Sequence, residues 1–167
     1  MSDEVLVIQT GGTIDKDYPR ATGGYAFEIC DSAAKKILTR LPLSGNFQFK
    51  TICKKDSQEM TLDDRKQLVK VIEASPIQKI LVTHGTDTLI DSASFVADNN
   101  KGKLIVFTGA KKPEIFKDSD AEFNIGVAVG ALRCIEGTGV YVAMNGRVSP
   151  WDKVIRDIET GYFIAMT

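Results

Sequence analysis

The sequence predicts an α/β protein built on a single doubly wound, mainly parallel sheet with helices on both faces. Apolar segments of strand length recur along the chain, and segments with the apolar spacing of an amphipathic helix lie between them. Strands that alternate with helices in this way form parallel βαβ units. The predicted strands are residues 5–9, 47–53, 79–83, 104–107 and 140–144.

The first half of the chain gives specific element boundaries. Residues 15–26 contain a proline and a Gly-Gly pair without periodicity, so we predict a loop, long enough to act as a lid. Residues 31–41 predict a helix capped by Asp31 or Ser32. A capping box that starts at Thr61 predicts a second helix, which runs to about residue 75 with Leu68, Val69 and Ile72 inward.

In the second half, Asp87 is predicted to cap a helix over residues 88–99. A further helix over residues 120–135 is rich in small residues, which suits close packing against a sheet. The strand at residues 140–144 is expected to be the last, with a tail from Asn145.

Composition excludes several classes of function. A chain of 167 residues predicts one domain, residues 1–167. The net charge of −1 argues against nucleic acid or an anionic membrane as partner. No secretory signal or apolar span of about 18 residues is present, which predicts a cytoplasmic protein. Cys30, Cys53 and Cys134 lack metal-binding spacing, so we expect reduced, buried thiols and no metal site.

Two strand ends carry similar polar groups. Gly12 and Thr13 follow the first strand, and Gly85, Thr86 and Asp87 follow the strand at residues 79–83. The glycine turn matches neither a dinucleotide-binding nor a P-loop motif. Each threonine alone is typical of a turn or helix cap, but the carboxyl ends of parallel strands share one edge of a sheet, so the pair indicates a shared polar site. A hydroxyl–amine–carboxylate relay there could activate a threonine or water without histidine.

The only histidine, His84, lies between its strand and the glycine turn. A hydrogen bond within the turn is the expected role for it, and we leave it out of the catalytic set.

Five short motifs resemble, in order, those of the bacterial-type L-asparaginase family. They are Thr10–Ile14, Asp56–Met60, Thr83–Thr88, Thr108–Ala110 and Phe123–Asn124. The resemblance covers nearly the whole chain and implies the fold of that family's N-terminal domain. It also implies hydrolysis of the side-chain amide of L-asparagine to L-aspartate and ammonia, with L-glutamine an open alternative and no cofactor.

The resemblance implies roles for particular residues. Thr13 would be the nucleophile, assisted by Tyr25 on the lid, and Thr86 with Asp87 would form the second catalytic group. Asp87 would also pair with the α-ammonium of the substrate.

Further residues would bind the substrate. Ser57 and Gln58 would hold its α-carboxylate and α-ammonium, and the backbone of Ala110 would orient the amide. Backbone N–H groups at a glycine turn, as at Gly12 and Gly85, suit an anionic tetrahedral intermediate.

The sequence departs from the family in three places. The family's catalytic lysine follows the last strand in a Val-x-Lys pattern, but here Val154 and Ile155 lead to Arg156. Arginine does not give up its proton, so either Lys153 reaches the site as the catalytic lysine or the relay is altered. Glu59 stands where aspartate is usual.

The third departure is length. The sequence stops about where the N-terminal domain of the longer members would end, so we expect a short single-domain member without their second domain, whose homo-oligomer would use other surfaces. Two further functions stay open: a non-catalytic domain that binds asparagine or aspartate, and the amidase component of an amidotransferase.

Overall fold

A computed structural model describes residues 3–19, 23 and 26–166. Its central feature is a six-stranded sheet with the strand order β4-β1-β5-β6-β7-β8. Neighbours among the first five strands pair in parallel, and only β8 runs antiparallel to its neighbour β7. The prediction of a mainly parallel sheet is confirmed. The strands are β1 (Glu4–Gly11), β4 (Asn46–Lys55), β5 (Lys79–Thr83), β6 (Leu104–Thr108), β7 (Gly139–Met144) and β8 (Arg147–Pro150).

Within the described residues, four α-helices cover both faces of this sheet: α1 (Ala33–Arg40), α2 (Leu62–Ala74), α3 (Leu89–Asp98) and α4 (Ala121–Cys134). Alternate residues of β1 point to opposite faces, as the pleat of a strand requires. Val5 and Val7 pack with α1 and α4, whereas Leu6 and Ile8 pack with α2 and α3. Each face therefore has its own apolar core, which confirms the doubly wound arrangement.

Two short antiparallel ribbons correct the sequence prediction. The segment predicted as a loop over residues 15–26 contains β2 (Lys16–Asp17), which pairs with β3 (Glu28–Ile29). The strand at residues 140–144 is not the last, because β8 follows it and β9 (Val154–Arg156) pairs with β10 (Phe163–Ala165). Strands of two or three residues are too short to give a periodic signal.

The helix starts agree with the sequence except at α3. The Ser32 hydroxyl accepts the N–H of Lys35, and the predicted capping box of Thr61 with Asp64 is present. At α3 the N-cap residue is Thr88 and makes no side-chain capping bond, so the prediction that Asp87 caps this helix is wrong. The Asp87 carboxylate instead binds two side chains from other parts of the chain.

The thiols also differ from expectation. The three cysteines are free, but Cys30 and Cys53 are only half-buried and Cys134 is exposed. The expectation of three buried thiols is therefore wrong. Within the described residues, no helix is long and apolar enough to cross a membrane.

Candidate functional site

Three chain segments meet in direct backbone contact at the carboxyl edge of the sheet. Gly12 has a φ of 92°, and a Cβ added to it would lie 2.5 Å from both the N and the Cα of Gly85. A Cβ on Gly85 would lie 2.7 Å from the Cβ of Ser57. Glycine is required where two backbones approach this closely. These contacts bring together the turns that carry Thr13, Thr86 and Ser57.

The end of β6 joins the same cluster. A Cβ on Gly109 would lie 2.4 Å from the carbonyl oxygen of His84, so this strand end also packs against the β5 turn. The Asn124 side chain of α4 donates a hydrogen bond of 2.9 Å to the Gly109 carbonyl. Ala110, the predicted amide-orienting residue, follows directly and is buried. The motif pair at residues 123–124 thus has a structural role, through Asn124.

Ser57 is tied to the start of α3. The Thr88 hydroxyl donates to the Ser57 carbonyl at 2.7 Å, and the Thr88 N–H donates to the Ser57 hydroxyl at 3.3 Å. Ser57 is 2% exposed, although its neighbour Gln58 is exposed. This pair of bonds fixes the Ser57 turn against the motif Thr83–Thr88.

Asp87 is the electrostatic centre of the cluster. Gln58 Nε2 donates to its Oδ2 at 2.7 Å, and Arg156 Nη1 lies 3.1 Å from its Oδ1. Both carboxylate oxygens therefore have a partner within the chain. The side chains of Arg156 and Asp87 are 31% and 36% exposed, so solvent reaches this ion pair.

The two threonine hydroxyls are available to a ligand. Thr13 opens a short 3-10 turn, Thr13–Asp15, and both Thr13 and Thr86 are half-buried. Neither hydroxyl hydrogen-bonds to another residue in the described part of the chain. A threonine hydroxyl without an internal partner is the form that can act as a nucleophile or bind a substrate. Tyr25, the predicted assisting residue, lies outside the described residues.

The cation beside Asp87 is Arg156 and not Lys153. Lys153 is exposed in the 3-10 turn Trp151–Lys153, and its ammonium contacts no carboxylate of the described residues. The Nε of Arg156 is buried without a hydrogen-bond partner among those residues. Its Nη2 packs at the Gly161 turn, where an added Cβ would lie 3.4 Å away. The guanidinium thus lies beside the turn between β9 and β10.

His84 serves the turn, in line with its expected role. Its Nδ1 lies 2.7 Å from the Gly85 carbonyl, so Nδ1 carries the proton and donates it there. Nε2 then accepts from the Ser92 hydroxyl at 2.8 Å, and Ser92 in turn accepts from Arg65. Burial lowers the pKa of the imidazole to about 4. The ring is therefore neutral at pH 7 and holds the turn that precedes Thr86.

The Asp15 carboxyl is buried. The sequence predicts a loop at this position and does not indicate Asp15 as a functional residue. The carboxyl accepts hydrogen bonds from the Ala33 N–H at 2.8 Å and from Gln9 Nε2 at 3.0 Å. Burial raises its pKa to about 6. The two hydrogen bonds and the charges of Lys36 and Lys54 act in the opposite direction and lower the pKa. Its position two residues after Thr13 was the only available signal, because burial is not visible in the sequence.

No group of histidine, cysteine, aspartate or glutamate side chains in the described part of the chain could hold a metal ion.

The model of the family "Asparaginase, N-terminal" matches residues 4–156. The chain belongs to the asparaginase family. A "Glutaminase-asparaginase" of Pseudomonas aeruginosa is 26% identical over 154 residues, which cover 86% of this chain and 42% of that protein. A glutamyl-tRNA(Gln) amidotransferase component of Thermofilum pendens is 30% identical over 154 residues, which cover 87% of this chain and 34% of that protein.

Solved structures agree with this assignment at the level of the fold. The thermostable L-asparaginase from Thermococcus kodakarensis superposes with a TM-score of 0.85 at 22% identity, covering 98% of this chain and 51% of that one. The likeness confirms the α/β fold and its match to asparaginase N-terminal domains. The chain spans about half or less of the length of these relatives.

Proposed function

We propose that this protein is an amidohydrolase that converts L-asparagine to L-aspartate and ammonia through the hydroxyl of Thr13. The observation that carries the proposal is the backbone contact between Gly12 and Gly85, which brings Thr13 and Thr86 to one edge of the sheet. Two hydroxyls without partners among the described residues, on turns that touch each other, suit acyl transfer better than they suit a structural role.

In the proposed reaction, the Thr13 oxygen adds to the side-chain amide carbon, and the resulting tetrahedral anion accepts hydrogen bonds from backbone N–H groups at the glycine turns. Ammonia leaves, and water then hydrolyses the threonyl ester. Thr86 and Tyr25 move protons between these groups. Arg156 supplies a positive charge at Asp87 and transfers no proton in this scheme.

The amino-acid end of the substrate is assigned to Ser57, Gln58 and Asp87. The Asp87 carboxylate is exposed enough to meet an α-ammonium, and Gln58 and Arg156 fix its orientation. We assign the amide end to the buried strand end at Ala110. Lys153 is exposed and lies outside this group. Of the catalytic residues proposed from the sequence, it therefore has the least support.

The test is ammonia release from L-asparagine and L-glutamine by the purified protein. Thr13→Ala is expected to lose turnover, and the matched variant Thr13→Ser to keep part of it, since only the alanine lacks a hydroxyl. Arg156→Lys should raise turnover by restoring a titratable amine, and Lys153→Ala should leave it unchanged. Full turnover in Thr13→Ala would rule out the threonine mechanism.

A second candidate is a non-catalytic domain that binds asparagine or aspartate. The Arg156–Asp87 ion pair favours it, because an arginine at this position cannot transfer protons. No ammonia release, together with a Tm raised by L-aspartate, would support binding alone.

A third candidate, the amidase component of an amidotransferase, agrees with the similarity to the Thermofilum pendens amidotransferase component. It requires a partner chain, so turnover by the isolated protein would exclude it. A cytoplasmic location and a homo-oligomer stay predictions.

A further inference from the structure

Both oxygens of the buried Asp15 carboxyl are occupied by groups that donate hydrogen bonds. The Ala33 N–H donates to Oδ1 at 2.8 Å, and Gln9 Nε2 donates to Oδ2 at 3.0 Å. Asp15 and Gln9 are 3% and 1% exposed. Among the described residues, nothing accepts a hydrogen bond from either oxygen. This arrangement is that of the ionised carboxylate, which only accepts hydrogen bonds.

The Gln9 amide divides its two protons between Asp15 and the ribbon of β2 and β3. Its Nε2 also donates to the carbonyl of Cys30, which follows β3, at 2.8 Å, and its Oε1 accepts from the Thr51 hydroxyl at 2.8 Å. A carboxylate and a carbonyl only accept, whereas a hydroxyl donates or accepts. Asp15 and Cys30 therefore decide which way the amide points, and Thr51 fits either direction.

Two hydrogen bonds at Cys30 join the end of β3 to the turn that carries Thr13. The Cys30 N–H donates to the Asp15 carbonyl at 2.8 Å, and the Cys30 carbonyl accepts from the amide described above. Asp15 is the last residue of this 3-10 turn, and its own N–H donates to the Gly12 carbonyl at 3.1 Å. Asp15 is therefore bonded to the Thr13 turn, to the start of α1 and to the ribbon.

Protonation of Asp15 changes what the Gln9 amide can do. A proton on Oδ1 faces the Ala33 N–H and a proton on Oδ2 faces Nε2, and neither nitrogen accepts a hydrogen bond. Only the side-chain amide can turn. A half-turn brings Oε1 to the carboxyl proton and Nε2 to Thr51, but it also places Oε1 against the Cys30 carbonyl, where two acceptors repel. The Cys30 carbonyl therefore keeps its partner only while Asp15 is ionised.

The surroundings of Asp15 place its titration near neutral pH. Burial raises its pKa to about 6, and the charges of Lys36 on α1 and Lys54 on β4 lower it. Each lysine also has a carboxylate of its own: Asp17 lies 3.5 Å from the Lys36 ammonium, and Asp31 lies 2.8 Å from that of Lys54.

The Cys30 thiol is a further titratable group on the ribbon. Burial and the charges of Asp17 and Glu28 raise its pKa, so the thiol stays neutral where Asp15 titrates. The pKa of the buried His84 is lower, at about 4. A change in the ribbon near pH 6 is therefore expected to follow Asp15.

We propose that Asp15 is a positioning residue whose ionised carboxylate orients the Gln9 amide and thereby ties the ribbon of β2 and β3 to the turn of Thr13. Protonation turns the amide and releases the ribbon at Cys30. The effect on the ribbon stands by itself. An effect on turnover rests on the proposed function, because only there is Thr13 the reacting group.

The first test needs no activity and uses NMR spectra of isotope-labelled protein from about pH 8 to about pH 5. The Gln9 side-chain N–H groups should shift with a midpoint near pH 6. The Asp31 N–H should shift with them, because it shares a peptide group with the Cys30 carbonyl. Glu28→Gln, which removes an exposed carboxylate from β3, is the control that should leave this titration unchanged.

Two variants fix the amide in a known state. In Asp15→Asn, Oδ1 still accepts from Ala33, so Nδ2 faces Gln9 and replaces the carboxyl proton. Its Gln9 and Asp31 signals should lie, at every pH, where those of wild type lie at about pH 5. Gln9→Met is similar in length but has no amide, so its Asp31 signal should not titrate. A titration confined to the Ala33 N–H, or Asp15→Asn signals that match wild type at about pH 8, would overturn the proposal.

The second test is the pH profile of ammonia release from L-asparagine. The kcat of wild type should fall about tenfold or more as pH drops through about 6, because the nucleophile loses its position. Asp15→Asn should be slower by a similar factor at about pH 8 and lack this acid limb, whereas Glu28→Gln should keep the wild-type profile. KM should change less than kcat, since Ser57 and Asp87 lie on other segments.

The two tests separate this proposal from the proposed function. No ammonia release by wild type would contradict the proposed function, and the NMR titration would still decide the role of Asp15 in the ribbon. Turnover without an acid limb near pH 6 would instead refute the tie between Asp15 and Thr13 in an active enzyme.

Discussion

Replacing Asp15 with asparagine is expected to change how stability depends on pH. Asp15 is 3% exposed, and burial raises its pKa from 3.8 to about 6 in the folded protein. The native state therefore binds this proton more tightly than the unfolded state. Its stabilising contribution is complete below about pH 4 and is lost as pH rises through about 6. A difference of about two pKa units corresponds to roughly 3 kcal/mol.

The assay is urea unfolding of wild type and Asp15→Asn at a series of pH values. The free energy of unfolding of wild type minus that of the variant should fall by about 3 kcal/mol between about pH 4 and pH 7. If Asp15→Asn loses the hydrogen bond with Ala33 or Gln9, the difference in unfolding free energy changes by the same amount at every pH, because asparagine does not titrate. The hydrogen bond with Asp31 raises the pKa of Lys54, so that ammonium stays charged throughout this range.

Asp31→Asn is the matched control, since Asp31 is exposed and its hydrogen bond with Lys54 lowers its pKa. That carboxyl should give a small change of the opposite sign, which appears as pH falls. A wild-type-minus-Asp15→Asn difference that stays flat or rises with pH would show that the Asp15 carboxyl is not desolvated.

Three further predictions concern the glycine contact, the buried histidine and a helix cap. Gly12→Ala should lose more than about 3 kcal/mol of the free energy of unfolding, measured in urea, because its Cβ would overlap the Gly85 backbone. Gly102→Ala is the control: Gly102 has a similar positive φ but open space around it, so this variant should lose about 1 kcal/mol. Burial lowers the pKa of His84 to about 4, so the free energy of unfolding of wild type should fall by up to about 3 kcal/mol as pH falls from about 6.5 to 4. His84→Gln should remove this dependence. Thr61→Ala should lose about 1 kcal/mol at every pH, as measured by thermal unfolding, because it removes the capping box.

The parts of the fold that local sequence determines were predicted well. The strand at residues 79–83 has the predicted bounds, and Thr61 begins a helix as predicted, because a buried strand and a capping box each depend on residues close together in the chain. Asp87 was assigned to a helix cap on the same local grounds. Its actual partners, Gln58 and Arg156, are 29 and 69 residues away, and no local pattern indicates them.

The two parts of the candidate site are held by different kinds of contact. Thr13, Thr86 and Ser57 are positioned by backbones that touch at glycines, and this arrangement can change only if strand ends move apart. Asp87 is positioned by an exposed amide and a partly exposed guanidinium, and ion pairs exposed in this way contribute at most about 1 kcal/mol. The Asp87 carboxylate can therefore shift to admit a ligand cation beside Arg156 at little cost, while the threonines stay in place. An amino acid whose α-ammonium binds Asp87 in this way would meet hydroxyls already in position, as the proposed hydrolysis requires.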